Sequence, residues 1–545
     1  MKKMMTRRLL FAVMTLIPVF ATAQHKASYQ IIPLPLSVEE KEGPTYTLDA
    51  QTTIYADGEN LRREADFLTE YIQQKTGLKL TVTNHKEKSN QIQLTVKADK
   101  NTALQWPQES AEGYKLTVEK NLVRIEGKGE AGVFYGIQTL RKSLPIAKGS
   151  VELPAVVITD SPRFAYRGMH LDCSRHFFNF DFVKKYIDIL AFHNMNVFHW
   201  HLSDDQGWRI EMKRHPRLTE IGAWRSGTVI GHNSDVDDSI RYGGFYTQEQ
   251  CRELVRYAHE RHITVMPEIE LPGHTRAVLA AYPELGCTGG PYEVGHYWGV
   301  YADVLCMGNS KTYDLVRDII DELTDIFPSK FIHIGGDETP TVRWEACPKC
   351  NAVDRQGMTY QGYFTQQIVP YLESKGRRAI GWDEILYTGA DTNTAIMSWR
   401  GTEPGAEAAS KGHDVVMTPT GYCYFDFVQS KEVGREPNNC YGCLPIDKVY
   451  TLDPVPANAD EEARKHILGA QANVWCEHIW ATTQVEYMTL PRMACLSEVT
   501  WTQLEKKNWE DFVGRVTRLT VDYEAFHWQY AKHLWPGRRH NQGLE

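Results

Sequence analysis

The sequence predicts an α/β fold, a (β/α)8 TIM barrel that carries the chemistry and follows a small α+β domain. After residue 160, apolar runs with strand character alternate with amphipathic helical patterns over about 370 residues. Each of these runs ends in polar or aromatic residues. In such a barrel the carboxyl ends of the strands meet on one face, where active sites lie. We therefore expect one polar rim built from eight strand ends.

The N-terminus predicts export. Four basic residues within the first eight precede a short apolar run at residues 9–20, and Ala21-Thr22-Ala23 forms a cleavage site before Gln24. The run is too short to span a bilayer, so residues 1–23 are interpreted as a secretory signal peptide. We expect a periplasmic or extracellular protein with no membrane span elsewhere.

Residues 24–160 are predicted to form the small α+β domain. Its strand candidates have alternating or β-branched character and lie at residues 78–82, 91–96, 114–118 and 122–126. Residues 61–75 carry one helical stripe, and a second helix at 131–144 ends at Pro145. No cluster of catalytic residue types occurs here, so we expect an accessory role.

The barrel is predicted over residues 161–535, with a C-terminal tail at 536–545. Its eight strand candidates are residues 167–172, 196–204, 263–270, 331–337, 378–384, 394–400, 414–420 and 467–475. The clearest helical patterns between them are residues 182–193, 248–261, 312–327 and 360–375.

Composition and motifs exclude several function classes. The net charge of −9 and the pI of about 6.1 leave no basic footprint for nucleic acid. Nucleotide-binding glycine fingerprints and the Gly-x-Ser-x-Gly elbow of serine hydrolases are missing from the sequence. His199 and His201 share one face of a strand and could offer metal ligands, but nothing nearby completes a ligand set.

Two pairs among the chain's 11 cysteines stand out, Cys347-Pro-Lys-Cys350 and Cys440-Tyr-Gly-Cys443. Taken together they resemble a four-cysteine zinc site. Local disulfides, disulfides between the pairs and free thiols remain alternatives, since an exported chain favours oxidation. In each case the pairs would connect loops rather than perform catalysis.

The stretch at residues 331–338 carries the candidate chemistry. An apolar strand is followed by Gly335 and Gly336 and then by the adjacent acids Asp337 and Glu338. Most glycosidases use two carboxylates on opposite sides of the scissile bond. Side chains of neighbouring residues leave the chain in different directions, so this pair is poorly placed for that arrangement. It suits a substrate that supplies its own nucleophile.

His333-Ile-Gly-Gly-Asp-Glu338 resembles the signature of glycoside hydrolase family 20, the β-N-acetylhexosaminidases. Five further segments are similar to motifs of the same family and follow in family order, at residues 171–177, 201–209, 267–274, 381–384 and 475–477. The resemblance extends from the small N-terminal domain to near the C-terminus. It implies hydrolysis with retention and without a required metal or cofactor.

In this family the acetamido oxygen of the sugar attacks the anomeric carbon, giving an oxazolinium ion, an exception to the two-carboxylate scheme. The resemblance implies that Glu338 is the acid and then the base, and that Asp337 holds the acetamido N–H. Glu338 is expected to be protonated near neutral pH, which burial among aromatic residues would favour.

The resemblance also assigns the sugar contacts. Trp382, Trp399 and Trp475 would surround the acetamido group, and Tyr424 would bond its oxygen. Sugar hydroxyls would be held by Arg175, Asp426 and Glu477, while Asp204 and His274 would orient Glu338; Asp204 is chosen over the adjacent Asp205 on the family pattern.

The implied activity is exo-acting release of terminal non-reducing β-linked GlcNAc or GalNAc from an oligosaccharide or glycoconjugate. Two alternatives share the same motifs. One is lacto-N-biosidase-like release of a disaccharide, and the other is a catalytically silent glycan-binding barrel. Asp426 and Glu477 favour a pocket closed at the non-reducing end, and the intact acid pair favours catalysis.

Overall fold

The computed structural model of the protein describes residues 25–97, 109–232, 234–432, 434, 436–437, 442–457 and 459–535. The predicted signal peptide, the predicted tail and Cys440 lie outside the described residues. Within them, a small α+β region precedes a closed barrel of eight parallel strands, which confirms the predicted fold class. None of the described helices combines the length and apolar character that crossing a membrane requires.

The N-terminal region is built on a mixed sheet of seven strands. In chain order they are β1 (Ser37–Glu40), β2 (Thr53–Ala56), β3 (Thr81–Thr83), β4 (Gln91–Val96), β5 (Tyr114–Val118), β6 (Leu122–Gly127) and β7 (Val156–Asp160). They lie in the order β1-β7-β5-β6-β4-β2-β3. Helices α1 (Arg62–Thr76) and α2 (Glu130–Ser143) pack on this sheet through their buried faces. A smaller sheet pairs His25–Lys26, Val151–Leu153 and Tyr46–Leu48.

All eight predicted barrel runs contain a strand. These are β8 (Tyr166–Asp172), β9 (Val197–His201), β10 (Thr264–Glu268), β11 (Phe331–His333), β12 (Arg378–Trp382), β13 (Ala395–Ser398), β14 (Val415–Met417) and β15 (Ile467–Ala472). Each strand pairs in parallel with its neighbour, and β15 closes the barrel against β8. Most strands end before the predicted runs do, because the polar residues leave the ladder and form the rim.

The longer helices outside the barrel are α3 (Phe180–Phe192), α4 (Gln248–His259), α5 (Ser310–Ile326), α6 (Tyr360–Ser374), α7 (Glu403–Ser410), α8 (Thr482–Thr489), α9 (Arg492–Trp501) and α10 (Trp509–Ala525). Shorter helices occupy Glu109–Glu112, Arg217–Glu220, Arg276–Ala281, Val342–Glu345, Pro348–Asn351, Glu384–Tyr387, Thr420–Cys423, Ile446–Tyr450 and Glu461–His466. Two ribbons pair Ser203–Asp204 with Gly207–Trp208 and Trp224–Arg225 with Tyr242–Gly243.

The barrel has a packed apolar interior below its rim. Parallel strands covered on both faces are expected to be apolar throughout, and every residue of β8, β9 and β11 is buried. The interior cluster contains Tyr166, Val197, Met266, Phe331, Ile380, Trp382, Ala395, Met397 and Val416. This packing gives the rim residues a rigid base.

Buried polar contacts join the N-terminal region to the barrel. Arg167 of β8 donates to both carboxylate oxygens of Glu112, at 3.0 and 2.7 Å. Asp160, the last residue of β7, accepts from Tyr114 at 2.8 Å and from the indole of Trp501 in α9 at 3.0 Å. Because the arginine has a charged partner and Asp160 accepts two hydrogen bonds, these contacts hold the two parts in one arrangement.

The cysteines do not group as predicted. The ten described cysteines form no disulfide, and Cys443 lies apart from Cys347 and Cys350. The sulfur atoms that gather with Cys347 and Cys350 are instead those of Cys287 and Cys306. The expected combination with residue 443 is therefore wrong, because the loops that meet after β10 and β11 are brought together by the barrel rather than by sequence spacing.

Candidate active site

The loop after β11 presents the two adjacent acids. Gly335 has a φ of 67°, and a Cβ at this position would lie 2.0 Å from Oε2 of Glu270. Only glycine allows the loop to cross Glu270 so closely. Glu338 itself has a φ of 43°, in the left-handed region that bulky residues rarely adopt. Residues held this way depend on the surrounding structure and cluster at functional sites.

His274, after β10, lies against both acids. Its Nε2 atom is 3.6 Å from Oδ2 of Asp337 and 3.4 Å from Oε2 of Glu338. The Asp337 side chain is 15% exposed, whereas that of Glu338 is 43% exposed. Oδ1 of Asp337 is buried without a hydrogen-bond partner among the described residues. The site thus offers one accessible acid and one buried acceptor, not a symmetric pair.

The neighbouring acids Asp204 and Asp205 both contact His274, but their other partners differ. Oδ2 of Asp205 is 3.0 Å from Nδ1 of His274, while Oδ1 of Asp204 is 3.4 Å from the same atom. Oδ2 of Asp204 instead lies 2.9 Å from the Nη2 atom of Arg175 and 3.0 Å from Nε2 of His201. Asp204 therefore connects His274 to the arginine, and Asp205, which the sequence reasoning passed over, makes the hydrogen bond to His274.

The charges of this group follow from its burial. Burial opposes a charge on His274, but the carboxylates of Asp204 and Asp337 raise its pKa well above the usual value, so it is an imidazolium ion. The contact with His274 lowers the pKa of Glu338, with burial acting in the opposite direction. Burial raises the pKa of Asp337, an effect that the nearby His274 cation reduces.

The expectation of a raised pKa for Glu338 is therefore not met in the unliganded protein. Burial among aromatic residues was expected to dominate, yet 43% of this side chain faces solvent and a cation lies 3.4 Å away. Both features favour the carboxylate. A ligand that covers Glu338 removes solvent from the carboxyl group and therefore raises its pKa.

A cavity of about 300 Å³ opens above these acids. Nine of the eleven predicted site residues line it, together with two that sequence reasoning missed: Arg175, Asp337, Glu338, Trp382, Trp399, Thr420, Tyr424, Asp426, Phe427, Trp475 and Glu477. The other two, Asp204 and His274, lie behind the wall. No sequence motif singled out Thr420 and Phe427, although both flank the predicted Tyr424.

Aromatic rings form the cavity wall. The rings of Trp399 and Tyr424 stack with centroids 6.3 Å apart and an interplanar angle of 26°. The rings of Trp382 and Trp475 lie 5.7 Å apart. The guanidinium of Arg175 sits 5.1 Å from the centre of the Trp475 ring. Flat apolar faces next to charged groups suit a ligand with both apolar and hydroxyl surfaces.

Three ionisable residues of the cavity lining lie near one another. Nη1 of Arg175 is 3.8 Å from Oε1 of Glu477, whose Oε2 is buried without a hydrogen-bond partner among the described residues. Burial, followed by the charge of Glu477, raises the pKa of Asp426 well above its usual value. Acceptors and donors in this spacing can hold several hydroxyl groups.

A buried hub below the cavity was not predicted. Glu268 of β10 accepts from the indole Nε1 of Trp382 at 2.8 Å and contacts His201 and His199. Burial opposes protonation of His201, but Glu268 and Asp204 raise its pKa to about 10. The hub thus joins the cavity wall at Trp382 to the Asp204 network.

The hub also contains His199 and His201, the two histidines that could offer metal ligands. His199 and His201 both lie on β9 and both face Glu268, at 3.1 Å for His199. Their partners are a carboxylate and, for His201, also Asp204. Both side chains thus lie in a buried network, His199 against Glu268 and the amide of Gln471 and His201 against Glu268 and Asp204.

Glu270 lies in the segment 267–274 that resembles a family motif, but the sequence reasoning gave it no role in the site. Burial, and after it the negative charge of Asp337, raises the pKa of Glu270 well above its usual value. Both causes favour the neutral acid over the carboxylate. Its position at the end of β10, next to the predicted His274, is the signal that could have identified it.

Comparisons with known proteins identify the family of the chain. The model of the glycosyl hydrolase family 20 catalytic domain matches residues 164–504, and the model of domain 2 of that family matches residues 28–161. The chain is 40% identical over 512 residues to a beta-hexosaminidase of Porphyromonas gingivalis, covering 91% of this chain and 64% of that protein. The chain thus spans less than two thirds of that relative's length.

Solved structures are similar over nearly the whole chain. The GH20 beta-N-acetylhexosaminidase of Streptomyces coelicolor A3(2) matches with a TM-score of 0.79 and 30% identity, covering 92% of this chain and 97% of that one. A GH20 exo beta-N-acetylglucosaminidase of Vibrio harveyi, solved with N-acetylglucosamine, matches with a TM-score of 0.80 and 30% identity, covering 94% and 80%.

Proposed function

Because the chain belongs to glycosyl hydrolase family 20, we propose that it is an exo-acting, retaining β-N-acetylhexosaminidase. Its substrates are oligosaccharides or glycoconjugates that end in β-linked GlcNAc or GalNAc. The names of the similar proteins support this activity. The observation that carries it is the adjacency of an accessible Glu338 and an Asp337 whose Oδ1 is buried, both lining an aromatic cavity.

The mechanism follows from that asymmetry. Glu338 gives its proton to the glycosidic oxygen as the bond to the anomeric carbon breaks. The acetamido oxygen of the same sugar forms the new bond to that carbon, so no second protein carboxylate is needed as the nucleophile. Water then attacks the anomeric carbon, the carbon–oxygen bond of the oxazolinium ion breaks, and Glu338 takes the water's proton.

Asp337 acts on the acetamido group. Its buried Oδ1 has no hydrogen-bond partner among the described residues and is available to the N–H of the ligand. That N–H becomes more acidic as positive charge develops, so the bond to a carboxylate strengthens in the transition state. Tyr424 and the tryptophans Trp382, Trp399 and Trp475 enclose the group on the other sides.

Protonation of Glu338 is coupled to binding. In the free protein, His274 lowers the pKa of this carboxyl. A sugar in the cavity covers its exposed surface and replaces water by the leaving-group oxygen, which favours the protonated form. His274 then keeps the acid in position and stabilises its conjugate base after proton transfer.

The dimensions of the cavity favour release of a monosaccharide over the disaccharide alternative. Its volume of about 300 Å³ lies at the small end of ligand pockets. Arg175, Asp426 and Glu477 line the same cavity and would hold the terminal sugar's hydroxyls. A defined oligosaccharide should therefore lose one hexosamine at a time, which mass spectrometry of the products measures.

Two variants test the chemistry. Glu338→Gln should reduce turnover of an aryl β-N-acetylglucosaminide by at least about 10²-fold, the usual contribution of a general acid. Asp337→Ala should reduce kcat strongly while inhibition by free GlcNAc persists. NMR of the first product should show the β anomer. Full activity of either variant, or an inverted product, would refute the assignment.

Export is a separate part of the proposal. It rests on the basic and apolar pattern of residues 1–23 and the small residues before Gln24. Mass spectrometry of the protein from fractionated cells should find a periplasmic or extracellular chain that begins at residue 24. A cytoplasmic chain that retains Met1 would contradict it.

A further inference from the structure

Four cysteine sulfur atoms converge outside the catalytic cavity. They belong to Cys287, Cys306, Cys347 and Cys350, and all lie within 4.8 Å of one another. Cys306 is 3.8 Å from Cys347 and 3.5 Å from Cys350, and Cys287 is 3.8 Å from Cys350. Cys287 is partly exposed and the other three are buried. The catalytic mechanism uses none of them.

These separations match a metal site rather than disulfides. A disulfide joins sulfur atoms about 2.04 Å apart, well below the distances seen. Four thiolates at about 2.3 Å from a tetrahedral zinc ion stand about 3.8 Å from each other. We propose that Cys287, Cys306, Cys347 and Cys350 bind one structural Zn²⁺.

The backbone is built to bring the ligands together. Cys347-Pro-Lys-Cys350 has the two-residue spacing typical of zinc-binding cysteine pairs. A Cβ on Gly308 would lie 2.3 Å from the carbonyl of Lys349 and 2.5 Å from the backbone nitrogen of Cys350. Glycine at residue 308 therefore lets the segment that carries Cys306 touch the Cys347–Cys350 turn.

Hydrogen bonds also hold the segments that carry Cys287, Cys306 and Trp344 against one another. The N–H of Cys306 donates to the carbonyl of Leu285 at 2.8 Å, which places Cys287 two residues further along. The indole of Trp344 donates to the carbonyl of Leu305 at 2.8 Å. The three segments thus meet before any metal is considered, so the site is preorganised.

The ligand chemistry fits zinc. Thiolates are soft ligands, and a tetrahedral set of four sulfur atoms binds zinc or iron. Four protein ligands leave no open position, which distinguishes a structural site from a catalytic one. Binding displaces the four thiol protons into solvent, so affinity falls as pH is lowered.

The site connects the two loops that carry the catalytic groups. Cys287 and Cys306 follow β10, whose loop holds His274, whereas Cys347 and Cys350 follow β11, whose loop holds Glu338. Asp303 bridges the same loops, since it pairs with Arg276 at 3.0 Å and Arg343 at 2.8 Å. Bound zinc would act as a positioning element for the catalytic loop. That last consequence rests on the proposed function, whereas the metal site itself does not.

Metal analysis of the full chain tests the site directly. After purification without chelators, elemental analysis should find about one zinc per chain. Cys350→Ser should lose it, and Cys251→Ser, a buried cysteine of α4 outside the cluster, should retain it. Replacement by Co²⁺ should give the visible absorption of a tetrahedral thiolate complex in the parent and in Cys251→Ser, but not in Cys350→Ser.

Stability supplies a readout that is independent of turnover. Removing zinc with a chelator should lower the thermal midpoint of the parent and of Cys251→Ser, and adding Zn²⁺ should restore it. If Cys350→Ser fails to fold, Cys287→Ser, which alters the partly exposed ligand, replaces it. An inactive protein that still binds zinc would refute the proposed function and leave the metal site intact.

Three results would overturn the site. The first is a folded parent protein that holds no zinc after incubation with Zn²⁺. The second is peptide mapping that finds the four cysteines joined as disulfides in the purified protein. The third is iron in place of zinc at one atom per chain.

Discussion

Replacing His274 by glutamine should move the pH dependence of the enzyme in a defined direction. The imidazolium lies 3.4 Å from Glu338 and favours its carboxylate. Two unit charges at that separation interact by about 5 kcal/mol at an effective dielectric constant of 20 and by about 1.2 kcal/mol in water. Because the Glu338 side chain is 43% exposed, solvent screening selects the lower value. Loss of the cation should then raise the pKa of Glu338 by about one unit.

The assay is kcat/KM for an aryl β-N-acetylglucosaminide against pH, which reports groups of the free enzyme. Glu338 acts first as an acid, so its ionisation defines the alkaline limb. In His274→Gln that limb should move up by about one unit, while the maximal rate falls because Glu338 loses its positioning contact. His413→Gln, at a buried histidine that contacts the carbonyl of Thr394, is the matched control and should leave the limb in place. If the alkaline limb of a folded His274→Gln enzyme is unchanged or moves to lower pH, the His274 cation does not lower the pKa of Glu338.

Three further substitutions test the supporting structure. Gly335→Ala should greatly reduce activity and stability, since the new Cβ would lie 2.0 Å from Glu270 and φ is 67°; unchanged kinetics and thermal midpoint would contradict the close approach. Glu112→Gln should destabilise the protein by about 3–5 kcal/mol in urea unfolding, because it leaves Arg167 buried without its charge partner, and a loss below about 1 kcal/mol would argue against that contact. Burial raises the pKa of Glu384 to about 7, so its folded form holds a proton that the unfolded form releases above about 4.5. Stability should therefore fall between these pH values by up to about 3 kcal/mol, and Glu384→Gln should flatten that decline in pH-dependent unfolding.

The barrel could be predicted from the sequence because strand and helix patterns depend on residues close together in the chain. Alternation of strand and helix patterns located all eight strands, and β4 and β5 have the predicted bounds. The polar residues after each strand predicted most of the cavity lining, since parallel strands necessarily carry their carboxyl ends to one rim. For Asp337 and Glu338, adjacency alone indicated unequal roles, and the structure gives them different exposure.

Contacts between segments far apart in the chain could not be predicted from these local patterns. Glu268 was passed over because a buried acid within a strand has no local pattern, and its partners Trp382 and His201 come from other strands. The sequence reasoning preferred Asp204 to Asp205, whereas in the structure both acids contact His274, because two adjacent acids differ only in where the loop directs them.

Local and long-range information also contribute differently to the acid pair Asp337 and Glu338 and to the cysteine cluster. Sequence by itself determined the barrel, the rim and the acid pair, because strand periodicity and residue order act over a few positions. Tertiary structure alone decided that Glu338 lies beside a histidine cation and that Cys347 and Cys350 meet Cys287 and Cys306. Electrostatic shifts and metal-ligand geometry depend on distances of a few ångströms between segments far apart in the chain, and only the folded chain sets those distances.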